Sequence, residues 1–392
     1  MTEYKERFLT LDTNVVHAGA PRPNIEGAVV TPIFQSANFL MADEATYDAV
    51  RYLRLSNSPN HLALHARLAA IESGEAALAT ASGMATITSS ILAFVGQGDH
   101  VLAQKTLYGG TQSFLDEDAP RLGIGYTAID IADPEGARSW EKALTPTTKL
   151  ILVESISNPL MEVGDLQAVV AFAREHNLIS MIDNTFATPV NFRPLEIGID
   201  LVVHSATKYL NGHSDIVAGA VIGSEAHVHK VRHLLLHLGG SMDPHVCFLL
   251  ERGLKTLVLR VVRQNENAGR LAEFLAGRPE VRQVNYPGLP SDPGHTFARN
   301  LFSGYGGMLS FYAESAETAE LFLQRVKIPL HAASLGGVET LVVRPARSSH
   351  LGQTPEDRQR LGITDDLIRV SVGIENPDEL IADFEQALPG GK

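Results

Sequence analysis

The sequence predicts an α/β protein: a mostly parallel central sheet with helices on both faces, followed by a smaller C-terminal α+β domain. Three observations predict it. Between residues 62 and 253, short apolar runs alternate with segments of helical period, the pattern of a parallel sheet covered by helices. From residue 254 the texture changes to one long helical stretch, a loop rich in Pro and Gly, and strands of alternating polarity. The chain has 392 residues, 44% hydrophobic and 20% charged, enough to bury a large core and too apolar for long disorder.

Residues 1–61 read as an irregular arm. Pro21, Pro23, Pro32 and Pro59 interrupt it, and helical period is sustained only over 44–53. Such an arm cannot bury itself, so it is predicted to lie on a neighbouring subunit or domain. The α/β domain spans 62–253. It opens with Leu64, Leu68 and Ile71 at helical spacing, ended by Ser73-Gly74. Residues 100–104, 150–154, 179–183, 200–205 and 217–223 read as buried strands, and 166–176 as a helix between two of them. In such sheets ligands gather outside the carboxyl ends of the strands. The α+β domain, 254–392, starts with a helix over 254–275. A turn-rich loop follows over 286–294, then strands over 308–312 and 367–372.

Composition excludes several functions. With 32 basic and 45 acidic residues the formal charge is −13, the wrong sign for a surface that grips phosphate backbones, so no nucleic-acid partner is predicted. A single cysteine, Cys247, rules out an intrachain disulfide framework and any multi-cysteine metal site. No run approaches the roughly 18 apolar residues of a membrane span, and the first seven residues carry mixed charge without an apolar run behind them. A cytoplasmic protein without a membrane partner is expected. None of the 15 histidines shows a recognised ligand spacing; His227, His229, His233 and His237 read as a helix face, and no metal is predicted. Residues 123–128 match G-x-G-x-x-A by letter but run into a strand, which removes the helix N-terminus that gives this motif its hold on phosphate.

The chemistry concentrates in Asp200-Leu201-Val202-Val203-His204-Ser205-Ala206-Thr207-Lys208-Tyr209-Leu210-Asn211-Gly212-His213-Ser214. Here a lysine follows a buried strand, with two hydroxyl residues before it and a glycine turn after it. Apolar surroundings lower a lysine's pKa and free its amine as a nucleophile, while Ser205 and Thr207 can donate hydrogen bonds to a phosphate. A surface lysine after a strand is the bland alternative.

This stretch resembles the lysine signature of the Cys/Met-metabolism family of pyridoxal-phosphate (PLP) enzymes, and the resemblance extends over nearly the whole chain. It implies a type I PLP-dependent transferase fold, PLP as cofactor, and Lys208 as the residue that binds it covalently. Ile179-Ser180-Met181-Ile182-Asp183 ends a strand in a carboxylate. The matching family aspartate pairs with the pyridine nitrogen and keeps it protonated, so the ring can act as an electron sink. Thr80-Ala81-Ser82-Gly83-Met84 opens a helix after a short strand, and the resemblance assigns Ser82, Gly83 and Met84 to the phosphate. Tyr108 matches the tyrosine that stacks on the cofactor and serves the leaving group. Its ordinary pKa near 10 calls for a neighbouring cation in that role.

Tyr52 and Arg54 resemble an element that reaches into the neighbouring subunit's phosphate site, although the Asn-Pro-Thr that usually follows is replaced by Ser58-Pro59-Asn60. Asn158 matches a residue near the cofactor's 3′-oxygen; a simple Asn-Pro turn is the alternative. Arg369 sits in an apolar strand, where its guanidinium suits a substrate carboxylate or a structural ion pair. The resemblance favours the carboxylate and places Ser334 in the same subsite. It also implies a homotetramer built from two catalytic dimers.

The implied reaction begins when the substrate amine displaces Lys208 and the freed lysine removes the Cα proton. Loss of a Cβ proton then allows a γ-substituent to leave. The expected activity is γ-elimination from a γ-substituted L-amino acid: methionine, cystathionine, homocysteine or an oxygen-linked homoserine derivative such as canavanine. The alternatives are γ-replacement, as in an O-acylhomoserine sulfhydrylase or cystathionine γ-synthase, and a type I aminotransferase. Gly110 stands where methionine γ-lyases usually carry cysteine, and Ala333 where cystathionine enzymes commonly carry glutamate. Arg344 and Arg347 either face a bound anion or pair with acids.

Overall fold

A computed structural model describes residues 3–4, 6–41, 46–133, 136–348, 351 and 354–389. The first sheet is built from β1 (Ala76–Thr80), β2 (His100–Gln104), β3 (Gly125–Ile129), β4 (Thr148–Glu154), β5 (Ile179–Asp183), β6 (Leu201–His204) and β7 (Gly219–Gly223). Their order is β1-β7-β6-β5-β4-β2-β3, and β7 alone runs against its neighbours. The predicted sheet is therefore present, with one strand reversed. Nothing in the composition of β7 encodes its direction, because a strand buried on both faces is apolar either way.

The two faces separate by alternation along each strand. Ile151, Val153, Ile182 and Val202 join a core with Leu64 and Leu68 of helix Pro59–Ile71 and Val169 and Phe172 of helix Leu166–Glu175. Leu150, Leu152, Met181, Leu201 and Val203 face the other way, onto Ile87 and Ile91 of helix Gly83–Phe94 and Val228, Val231 and Leu235 of helix Glu225–Leu238. Period-two placement within continuous apolar runs is what a helix-covered sheet requires.

The second sheet comprises β8 (Val281–Asn285), β9 (Met308–Ala313), β10 (Leu330–His331), β11 (Leu341–Val343) and β12 (Leu367–Ser371), in the order β10-β11-β12-β9-β8. Only β10 and β11 pair in parallel. Helices Leu257–Ala276, Ala316–Arg325 and Pro377–Ala387 bury Leu271, Phe322 and Phe384 against Phe311, Ile368 and Val370.

The arm departs from expectation in two places, the first being a short helix at Leu11–His17, outside the segment read as helical. Of the helical period read over 44–53, the part within the described residues forms 3-10 turns at Tyr47–Ala49 and, just beyond, Leu53–Leu55. The Asn57 amide explains the interruption: it accepts from Tyr52 N at 3.0 Å and donates to Val50 O at 2.8 Å, capturing groups a helix would use. The altered Ser58-Pro59-Asn60 is a helix start. Ser58 Oγ accepts from His61 N, Pro59 takes the first helical position, and the Asn60 side chain pins Phe34 N and Pro32 O.

Candidate active site

A cavity of about 710 Å³ opens at the carboxyl ends of β4, β5 and β6 and is closed on its far side by β12 and the loop before β11. Of the residues singled out from sequence, Ser82, Gly83, Met84, Tyr108, Asn158, Asp183, Ser205, Thr207, Lys208, Ser334 and Arg369 all line it. Each arrives for a local reason. Lys208 lies in the turn after β6, where its N–H donates to Ser205 O at 3.1 Å and its carbonyl accepts from Gly212 N at 2.7 Å. Arg260 clamps this turn from behind, donating to Tyr209 O at 2.8 Å and Gly253 O at 2.9 Å.

Lys208 Nζ points into the cavity and donates to Ser334 Oγ at 2.7 Å. Burial, with the Arg369 charge adding to it, pushes its pKa down to about 8. Ser334 meets it with a backbone φ of +87°, a left-handed conformation that a non-glycine residue holds only at a strain of order 1–3 kcal/mol. Its carbonyl accepts from Arg369 Nη2 at 3.0 Å. The other guanidinium arm donates to Asn158 Oδ1 at 3.1 Å, while Nε is buried without a partner. Arg369 is 5% exposed and makes no ion pair among the described residues; burial pushes its pKa down to about 10. A buried cation held by neutral oxygens beside a cavity is arranged for an anion that arrives from outside.

Asp183 ends β5. Its Oδ1 accepts from Thr185 N at 2.9 Å and from the Thr185 hydroxyl, which leaves Oδ2 for a ligand. Burial raises its pKa, opposed by the Thr185 bonds and the His204 charge. Beside it in register stands Glu154, the end of β4, whose pKa is driven well up by burial and by Asp183.

The residues assigned to the phosphate lie where helix Gly83–Phe94 begins. Ser82 caps it, accepting from Ala85 N at 3.0 Å, so the N–H groups of Gly83 and Met84 lie at its open first turn. A Cβ on Gly83 would come within 2.9 Å of Ser205 Cβ, so only glycine lets the helix end and the lysine loop close around a shared anion. Thr207 is in the wall as well, but its hydroxyl already donates to Ala218 O at 3.1 Å.

Tyr52 and Arg54 are not brought to this cavity. Arg54 donates to Leu236 O and to the Tyr47 hydroxyl, both at 2.8 Å, and its guanidinium lies over the Tyr52 ring. Arg344 pairs with Glu320 at 2.9 Å, and both Arg344 and Arg347 lie 3.8 Å from Asp365, so the acid-pairing alternative describes them. Sequence reasoning gave no role to Glu154, Thr185, Phe186 or Ser348, all in the wall. Glu154 carried a usable signal, a second strand-end acid; the others carried none. Among the described residues no group of three or more His, Cys, Asp or Glu can hold a metal, and no helix is long and apolar enough to cross a membrane.

A half-buried lysine, a strand-end carboxylate and an open helix N-terminus around one cavity are the groups that a phosphorylated aldehyde cofactor would require. The profile of the Cys/Met metabolism PLP-dependent enzyme family matches residues 12–389, and the chain belongs to that family. It is 43% identical over 388 residues to the L-methionine γ-lyase of Pseudomonas putida, covering 96% of each chain. It is 40% identical over 377 residues to the cystathionine γ-lyase of Bacillus subtilis (strain 168), covering 96% of this chain and 98% of the relative. The crystal structure of cystathionine γ-lyase from Lactobacillus plantarum complexed with L-serine superposes with a TM-score of 0.91 at 35% identity, covering 97% of this chain and 98% of that one. The protein is thus a PLP-dependent lyase with the type I fold.

Proposed function

We propose that the protein catalyses γ-elimination from a γ-substituted L-amino acid whose γ-group bears no charged group. The observation that carries this is the cavity wall. Its charged side chains, among the described residues, are Glu154, Asp183, Lys208 and Arg369; the remainder of the distal wall includes Ile87, Ile156, Phe186, Val217, Leu335 and Ser348. Asp183 and Lys208 serve the cofactor and Arg369 the substrate carboxylate. Among the described residues no carboxylate other than Glu154 and Asp183 lines the cavity, and Ala333 stands where cystathionine enzymes commonly carry glutamate. Gly110 leaves the Tyr108 ring in place, because a Cβ there would come within 2.7 Å of Tyr108 Cε1 and 2.9 Å of Met84 Sδ.

Bound PLP supplies the electron sink that makes Cα and Cβ protons removable. The chain does the rest. Asp183 Oδ2 holds the ring nitrogen's proton, and the first turn of helix Gly83–Phe94, with Ser205, holds the phosphate. Arg369 and Asn158 orient the substrate carboxylate, Lys208 takes and returns the Cα proton, and Tyr108 protonates the leaving group, its hydroxyl lying in the field of Arg369.

Tyr52 and Arg54 complete the phosphate site of a second copy, in a homotetramer of two catalytic dimers acting in the cytoplasm. The arm supports this: Leu9, Val29, Leu40 and Met41 are largely exposed on one chain, as apolar groups awaiting cover would be.

Two measurements test the reading. With a panel of γ-substituted amino acids, 2-oxobutyrate and ammonia are expected without any added thiol; product only in the presence of a nucleophile would mean γ-replacement. Cofactor-free protein mixed with PLP is expected to develop its visible band at a rate that rises with pH to a midpoint near 8, the pKa of Lys208, and levels off above it. Below that pH the amine is protonated and cannot attack the aldehyde. A midpoint at the ordinary lysine value of about 10.4 would contradict this.

A further inference from the structure

We propose that Glu154 is a positioning residue for the reaction: its carboxylate ties the Tyr108 loop and the Asn158–Arg369 pair to the end of β4, so one buried side chain aligns the leaving-group residue and the substrate's carboxylate clamp. The inference rests on the PLP-lyase reading above. Both Glu154 oxygens go to backbone groups of cavity residues. Oε1 accepts from Tyr108 N at 2.6 Å, and Oε2 accepts from Asn158 N at 3.2 Å. Its own N–H donates to Gln104 Oε1 at 2.8 Å, locking the ends of β2 and β4 together just before the Tyr108 loop departs. The chain of contacts continues through Asn158, whose Oδ1 accepts from Arg369 Nη1 in the second sheet.

A carboxylate 5% exposed, beside a second carboxylate and without a cation partner among the described residues, is an unfavourable choice for mere packing. Two directional acceptors are what this position supplies and an apolar residue would not. The Tyr108 loop depends on that backbone tie, because Tyr108 starts helix Gly109–Ser113 without a side-chain cap. A misplacement of about 1 Å in a reacting group lowers rates by about 100-fold.

The test compares holoenzymes carrying Glu154→Ala, Glu154→Gln, Tyr108→Ala and the Glu154→Ala/Tyr108→Ala pair, on whichever panel amino acid the wild type turns over fastest. Both Glu154 variants are expected to keep the borohydride-sensitive visible band, because Lys208 and Asp183 are untouched. Glu154→Ala should lower kcat by about 100-fold and raise KM. Glu154→Gln retains an acceptor for the shorter bond, to Tyr108 N, but sets an amide N–H₂ against Asn158 N–H. It should therefore hold kcat within about threefold while raising KM. In the Tyr108→Ala background, Glu154→Ala should lower kcat by no more than about a further threefold, because a missing ring cannot be misplaced.

Multiplicative losses in the double variant, unchanged kcat and KM in Glu154→Ala, or loss of the visible band from both Glu154 variants would overturn the proposal. So would equal falls in kcat at constant KM, which report only a smaller active fraction. A wild-type protein with no such band removes the PLP reading, and this proposal with it.

Discussion

Lys208→Ala is expected to reduce kcat by on the order of 10⁴-fold or more, with each factor of ten worth about 1.4 kcal/mol of barrier. The side chain has two roles and no substitute. In the proposed mechanism its amine would form the covalent link to the cofactor, then act as base and acid at Cα. Among the described residues the wall offers no other basic nitrogen except the guanidinium of Arg369, which remains protonated. The fold should be indifferent to the change. Lys208 makes no ion pair among the described residues, and the turn around it is held by backbone bonds and by Arg260. An unchanged melting temperature beside lost turnover is the expected pair of results. Turnover near the wild-type level would remove Lys208 from the mechanism.

Asp183→Asn is expected to lower kcat by roughly 10²–10³-fold while PLP stays covalently bound. The asparagine oxygen can keep both Thr185 bonds, so the strand end should hold its shape. What changes is the sense of the contact with the ring. A carboxylate oxygen stabilises a protonated pyridine nitrogen, whereas an amide N–H₂ in its place donates to the unprotonated one. The ring then withdraws electrons less well when the Cα proton leaves. Asp183→Glu should restore part of the rate by restoring the charge at an altered reach. The check is steady-state kcat beside the visible spectrum of each variant. Equal turnover by the Asn variant and wild type would show that the charge on Asp183 is immaterial.

Both residues were picked out through the family resemblance, and the strand pattern only placed them beside the ends of buried strands. Leu201–His204 leads to Lys208, and Ile179–Asp183 ends on its own acid. That pattern, an unbroken apolar run where a strand is buried on two faces, gave the central strands. It failed for β8 and β11: β8 is half exposed, and β11 has three residues, so neither shows a clear period. The reversal of β7 is a matter of connection, which side-chain pattern does not encode.

Within the site, motif residues were readable and their partners were not. Ser334 lies 126 positions from Lys208 and Arg369 lies 211 from Asn158, and only the fold brings these pairs within bonding distance. Arg344 illustrates the opposite limit. Two basic residues in one segment left a bound anion and acid pairs equally open, and Glu320 and Asp365 pack against them from elsewhere in the chain. The segment read as helical over 44–53 turned on a single side chain, Asn57, whose amide replaces helical bonds with its own.

The most direct test is to reduce the wild-type holoenzyme with borohydride, digest it, and locate the pyridoxyl group by mass spectrometry. The expected result is one modified peptide with the group on Lys208. A label on Lys105, Lys255 or any other lysine, or no label at all, would contradict the account.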